Sequence, residues 1–553
     1  MKQFKRWYVF VFAFSFSLLL FACGEELPDL SENAEDEAAA TDELDIDSLG
    51  DDALIIGMSN APSSQNPFFA QGTSEQWAMK FFYETLLNQT SVTEFVPRLG
   101  EFETEDNQTF TVHLDSSAHW TDGEPVVAKD IAFTLNTIAH PDTLTSMAAK
   151  IGMLEGTDSA GKMEEGIEEL SGVQIVDDHT LELTTKEPVD INYISEFLGT
   201  GVIIAPEHVF GDIPKAELHT SEPAIDPTVF NGAYEFVEYQ DENYLHMTAN
   251  EDYYRGTPKI KDIYIRVLSN EAMVTELQAG SIDMISQGGF GDIPHHNIPL
   301  VEAEENLVVE RGASPNVQYL VINHEDPRFE DAQVRQALAY AIDFDMSVEN
   351  LLLGNGETLP ASYYSENSYR DENLEPYSYD PEKAKELLEE ADFDFSQPVE
   401  LGVPTGNTIR EQNADLVQQG LEAVGIEVTQ TQYDFTTWMN FLRDGDFDIG
   451  MYGMGHDYDP DITAFVGTGG ASNHSSYSSE EMDSLLVAGI EEVDPELRYP
   501  IYQEVQKLFK EDLPAIPLYS EAVYSVQDKK LKGGIKDFHP ASLVDLHEWE
   551  FVE

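Results

Sequence analysis

The chain has 553 residues, 41% of them hydrophobic and 11% aromatic, which is material for about three or four domains with real cores and excludes wholesale disorder. Against 29 Lys and Arg stand 105 Asp and Glu, a net charge of −76, which excludes a nucleic-acid partner and docking on an anionic membrane through a basic patch. Cys23 is the one cysteine, so an intrachain disulfide framework, cysteine-based zinc sites and iron–sulfur clusters are excluded as well.

At the N-terminus, Lys2, Lys5 and Arg6 precede an uncharged apolar run from Tyr8 to Phe21. That run is shorter than the ~20 residues of a membrane span and reads as a signal peptide over 1–22. Leu20-Phe21-Ala22-Cys23 resembles a bacterial lipobox, which implies cleavage before Cys23 and its lipidation. Cleavage removes three basic residues and no acidic one, leaving a charge of −79. Residues 23–52 are rich in Asp, Glu and Ala and contain no Lys or Arg. They cannot form a core, and we read them as an acidic tether. The scarcity of Lys and Arg points to salt-rich or alkaline surroundings.

Apolar strand-type sequence begins at Ala53. Thr109 to Leu114 and Thr180 to Thr184 alternate with period two, and Val317 to Asn323 reads as a buried strand. Ala332 to Ile342 reads as a helix with Val334, Leu338, Ala341 and Ile342 on one face. Asp380-Pro381 opens a helix whose stripe is Ala384, Leu387, Leu388 and Ala391. Ser478 with Glu481 forms a capping box before Met482, Leu485 and Leu486. Asp494-Pro495 opens another helix, which Pro500 is expected to kink or restart. Strands and helices alternate throughout, which predicts an α/β body with several sheets.

Several tempting motifs fail on inspection. Gly156 to Met163 nearly matches a P-loop, but Met163 stands where magnesium needs Ser or Thr, so a surface loop is expected. Asp457-Tyr458-Asp459-Pro460-Asp461 spaces its carboxylates like a calcium loop, but Ile462 and Thr468 occupy the Gly and Glu positions. Asp444 to Asp448 fails similarly at Ile449. His295-His296 is expected to be a solvated pair with diverging rings. No zinc-protease or nucleophile-elbow motif is present, so no catalytic residue, metal or cofactor is expected.

Five segments in order carry more information. His119-Trp120-Thr121-Asp122-Gly123-Glu124-Pro125 leads to Ala128-Lys129-Asp130; then come Asn231-Gly232-Ala233-Tyr234 with Asn250 to Tyr254, Glu276 to Asp283, Val334 to Asp343, and Tyr379 to Ala384. Together they resemble solute-binding protein family 5, the binding proteins of peptide and nickel ABC importers, from about residue 54 onward. The resemblance implies a periplasmic-binding-protein-like α/β fold, with two lobes about a hinge and an extra inserted domain. Lobe I would take 53–87, 223–313 and 525–553, lobe II 88–222 and lobe III 314–524, with hinge strands near Pro315 and Ser525. Trp120, Asp122 and Gly123 are expected to be structural.

The resemblance also implies a function. The protein would be a lipid-anchored monomer on the outer face of the membrane of a Gram-positive-like bacterium, capturing oligopeptides for the permease of an ABC importer. Asp457 and Tyr458 match a pair that presents an Asp to the peptide ammonium in oligopeptide-binding members. Trp438 matches a pocket aromatic, Met454 stands where a Trp is usual, Tyr452 lies on the same strand, and Asp459 is a second carboxylate candidate. Alternatively, Asp457 is a turn carboxylate bonded to local backbone. The rival functions are binding of a nickel chelate, haem or oligosaccharide on the same scaffold, peptide sensing at the surface, and an extracellular hydrolase.

Overall fold

The period-two segments become strands with the burial their pattern dictates. Thr109–Leu114 and Thr180–Thr184 bury every second side chain and form the middle pair of a four-stranded antiparallel sheet, flanked by Gly100–Thr104 and Val173–Asp177. The computed structural model describes residues 49–50, 53–69, 73–145, 147–158, 160–241, 243–286, 291–363, 367, 369–536 and 538–552. Cys23, the signal segment and nearly all of the tether lie outside the described residues.

The Trp–Asp–Gly turn holds this sheet to its helix. Trp120 is fully buried, and its Nε1 donates to Asp130 Oδ2. The same oxygen accepts from Val127 N at 2.9 Å at the start of helix Ala128–Ala139, and Oδ1 accepts from Glu207 N at 2.8 Å. Gly123 at φ 91° supplies the turn that a side chain would strain. The P-loop-like segment is a tight turn instead. Asp158 Oδ1 accepts from Ala160 N and Lys162 N, and Lys162 Nζ turns onto the carbonyls of Ile138, His140 and Thr143 at the C-terminal end of that helix. There its cation complements the helix dipole.

Among the described residues, the main sheet has eleven strands. Its first half joins Tyr234–Gln240, Tyr244–Ala249, Asp262–Val267, Leu54–Met58 and Met284–Ile285; its second half joins Val428–Tyr433, Val399–Pro404 and Ile449–Gly455. Two long antiparallel strands, Leu307–Ile322 and Ala515–Asp528, belong to both halves, and the eleventh strand, the short Gly356–Glu357, pairs with the second of them. The strand expected from Val317 is the buried end of the first of these. Apolar side chains of the first half and of the four-stranded unit form one continuous core. A buried ion pair of Glu84 with Arg98 lies between them, and Tyr253 Oη donates to Glu84 at 2.6 Å. Two further cores cover the two faces of the second half.

The helix caps follow the sequence, with two differences. Asp331, Asp380 and Asp494 each accept from a first-turn N–H. Ser479, not Ser478, caps helix Glu480–Glu491; its Oγ accepts from Met482 N, while Ser478 Oγ accepts from Thr468 Oγ1. Pro500 neither restarts nor ends its helix, which runs unbroken from Pro495 to Asp512. The carbonyl that loses its donor belongs to exposed Glu496, so water can satisfy it.

Candidate ligand-binding cleft

The two long strands do not pair evenly. Ala313 pairs with Ala522 and Val317 with Ser520, so Ser314, Pro315 and Asn316 bulge opposite Glu521. Pro315 has no N–H to offer a ladder, which suits it to this break. Ser314 Oγ accepts from Asn316 N at 3.0 Å, and Ser520 Oγ donates to Ser314 O at 2.9 Å, which fixes the bulge. Over it opens a cavity of about 1030 Å³. Three strands, each with a parallel neighbour, deliver their carboxyl ends to it from the two halves of the sheet. Ser59 and Asn60 follow Leu54–Met58, Gly406 and Asn407 follow Val399–Pro404, and Met454 and Gly455 end Ile449–Gly455. The carboxyl ends of parallel strands are the usual place for a ligand in such sheets.

The walls carry opposite charges. Arg410 stands near the start of helix Thr408–Ala423, and its Nε donates to Gln318 Oε1 at 2.8 Å. A Cβ on Gly453 would fall 2.7 Å from both Arg410 Nη2 and the Gln318 amide, so this glycine makes room for the pair. Burial pulls the Arg410 pKa down, with the Tyr519 hydroxyl and Glu521 opposing. Asp292, His295 and Glu521 also line the cavity. Burial, then the charge of Glu521, pushes the Asp292 carboxyl up to about 6. His295 Nε2 lies 3.2 Å from Glu521 Oε2. The expected solvated histidine pair is therefore corrected. His296 is exposed, but His295 is mostly buried against strand Ala515–Asp528.

The residues expected at the ligand are placed unevenly. Met454 lines the cavity. Tyr452, half-buried on the same strand, packs edge-on against His474 at 5.2 Å. Trp438 is 1% exposed and is a core residue. Its Nε1 donates to Met451 O at 2.9 Å, and its ring fills a notch over Gly402 and Gly450, where any Cβ would come within 2.2 Å. Asp459 is also withdrawn from ligand, because Arg498 Nη1 and Nη2 donate to its two oxygens at 2.8 and 3.0 Å, all nearly inaccessible to water. Tyr458 packs its ring on Phe538 and accepts at its carbonyl from Asn367 Nδ2. Asp457 opens to water two residues beyond the cavity's edge at Gly455, and protein around it raises its pKa, with Lys150 opposing. Asp461 accepts from Thr463 N and Oγ1, a local turn rather than a calcium loop. Among the described residues no three His, Cys, Asp or Glu side chains converge as a metal centre requires. Nothing in the sequence marks Arg410, Asp292 or His295 as neighbours, since they come from distant segments.

A family profile described as "Bacterial extracellular solute-binding proteins, family 5 Middle" matches residues 94–476. The chain belongs to this family. Family 5 proteins are the solute-binding components of ABC importers, exported binding proteins rather than enzymes. This family 5 chain is 26% identical to Heme-binding protein A of Haemophilus influenzae, across 94% of its own length and 95% of the relative's. It is 23% identical to the oligopeptide-binding protein AppA of Bacillus subtilis, over 90% and 91% of the two chains. The AppA structure in complex with a nonapeptide superposes with a TM-score of 0.75, 22% identity, and coverage of 91% and 99%. NikZ of Campylobacter jejuni in complex with Ni(L-His) gives a TM-score of 0.73 at 21% identity, covering 91% and 100%. The fold is accordingly the multi-lobed α/β fold of periplasmic binding proteins.

Proposed function

We propose that this family 5 protein captures oligopeptides in the cleft over the bulge and delivers them to its permease. The observation that carries this reading is the lining. Asn60, Asn270, Asn316, Asn350, Asn407, Gln318 and Gln412 all border the cavity, and among the described lining residues Tyr524 is the one Phe, Trp or Tyr. Carboxamides offer donors and acceptors together, which suits a peptide backbone held independently of its sequence. A flat macrocycle would call for broad apolar walls. Arg410 takes the ligand carboxylate as the cavity's guanidinium, and Asp457 the ammonium, with Met454, Tyr452 and Tyr458 beside them. Trp438 and Asp459 support that site from beneath.

Lobes I and II move together against lobe III, within the boundaries 53–87, 223–313 and 525–553; 88–222; and 314–524. The mature monomer hangs from the outer face of a Gram-positive-like membrane by lipid on Cys23, through its acidic tether. A second reading, that the solute is haem or a nickel chelate, draws on the names of the similar proteins above and on His295 at the cleft wall. Native mass spectrometry of the purified protein separates the two. Retained masses that resolve into peptides of a few residues support the first reading. A retained haem or nickel complex, with no peptide, overturns it.

A further inference from the structure

One carboxylate joins two parts of the molecule that do not share a core. Glu196 lies in the π-helical turn Ser195–Thr200, whose Leu198 belongs to the core common to the first half and the four-stranded unit. Such turns interrupt helices where a side chain must be aimed. Its target is the loop after Ile449–Gly455, in the second half. Oε1 accepts from Tyr458 N at 2.6 Å and Oε2 accepts from Asp459 N at 2.8 Å. Two successive N–H groups on one carboxylate make a charge-assisted nest. The loop is clamped from its own side as well, by Arg498 on the Asp459 carboxylate. Lys150, whose Nζ donates to Gly201 O at 3.2 Å, interacts electrostatically with both Asp457 and Glu196, which oppose the lowering of its pKa by burial. With the backbone at 458 and 459 fixed from two directions, Asp457 is the acid of the loop left open to water.

The geometry points to Glu196 as a positioning residue: it latches lobe II onto the loop of lobe III and thereby presents Asp457 to the ligand. This rests on the proposed role of Asp457. The latch joins lobe II directly to lobe III, so the two cannot swing apart without breaking it. Lobe II, which has no other assigned part in binding, becomes the element that holds the closed state. Burial, then the neighbouring Asp457 and Asp459, raise the Glu196 pKa well above the ordinary range, and the two N–H donors oppose that shift.

The test measures dissociation constants by calorimetry for a tetrapeptide with a free N-terminus and for its N-acetylated form. Hydrogen exchange over residues 456–462 is followed in parallel by mass spectrometry. Wild type, Glu196→Gln and Glu196→Ala are compared; the glutamine keeps one acceptor and guards against loss of fold. We expect free-amine affinity to fall about tenfold in the alanine variant and about threefold in the glutamine variant. Exchange in the ligand-saturated protein should accelerate in the same order. Unchanged exchange and unchanged affinities in both variants overturn the inference. If both peptides weaken alike while exchange accelerates, the latch stands and Asp457 is not the ammonium partner. If no tetrapeptide binds wild type, the peptide reading fails, and accelerated or unchanged exchange in the unliganded variants decides for or against the latch.

Discussion

Asp459 and Arg498 illustrate how a carboxylate expected at a ligand can be committed to the scaffold. Both ends of the pair are out of water, so neither charge can be relinquished alone. Arg498→Met should destabilise the protein by about 3–5 kcal/mol, because it strands a buried carboxylate. Adding Asp459→Asn should recover much of that loss, read as urea midpoints of the two single variants and the double. Asp457 faces water and should behave differently. Asp457→Asn should leave stability nearly unchanged and weaken free-amine peptides by about 1–3 kcal/mol in calorimetry. N-acetylated peptides should bind wild type poorly and respond less to the substitution. Equal losses for both would make Asp457 a turn residue. At the other end, Arg410→Met should cost peptides with a free C-terminus about 1–3 kcal/mol and their amides less.

Elements show where local sequence suffices and where it does not. Helix Phe435–Asp444 docks on the sheet by lowering Trp438 into the notch made by Gly402 and Gly450. Gly450→Ala puts a methyl 2.2 Å from the indole ring, beneath a strand that cannot retreat. It should cost about 3 kcal/mol or more by overpacking, measured by thermal unfolding. The strands at Thr109 and Thr180 and the caps at Asp380 and Asp494 are legible because alternation and capping are decided within a few residues. The Trp120–Asp130 turn was legible as a motif, and its role as a clamp between sheet and helix follows from it. The cap falls one position later, at Ser479, because two serines are adjacent, and Pro500 is tolerated because the fate of one carbonyl depends on its exposure. Trp438 matched a pocket aromatic by position, yet its burial is set by two glycines that lie in other segments. The pairs Arg410–Gln318 and His295–Glu521 are separated by 92 and 226 residues, and no local pattern registers them.

For the molecule as a whole, charge sets the dependence on conditions. A chain of net charge −76 repels itself when compact. Salt shortens the Debye length from about 10 Å at 0.1 M to about 3 Å at 1 M, so the melting midpoint at pH 7 should rise across that range. Acidity should act in the same direction by a second route. Burial is the first cause that pushes the carboxyls of Asp283, Asp292 and Asp461 up to about 6. The folded state then holds these protons more tightly than the unfolded chain does. Their stabilising contribution is complete below about pH 4 and is lost as pH rises through 6. Buried His324 and His456, which burial pulls down to about 3 and 4, oppose this below pH 6.5. The carboxyls are therefore read by substitution: Asp461→Asn, relative to wild type, should raise the midpoint more at pH 7.5 than at pH 5. That difference should persist in molar NaCl, which screens surface repulsion but not burial. A midpoint that is flat or falls with salt at both pH 7 and pH 10 would remove self-repulsion as an important term, and with it the inference of a salt-rich or alkaline habitat.

The common core of the first half and the four-stranded unit has a thermodynamic corollary. Units that share a core and the Glu84–Arg98 ion pair cannot melt separately, whatever their outlines suggest. The second half, with cores of its own on both faces of its sheet, can. Differential scanning calorimetry on the ligand-free protein should resolve two endotherms and not three. Excising residues 88–222 as an independent module should yield an aggregating fragment, because its apolar face is completed by the rest of the chain.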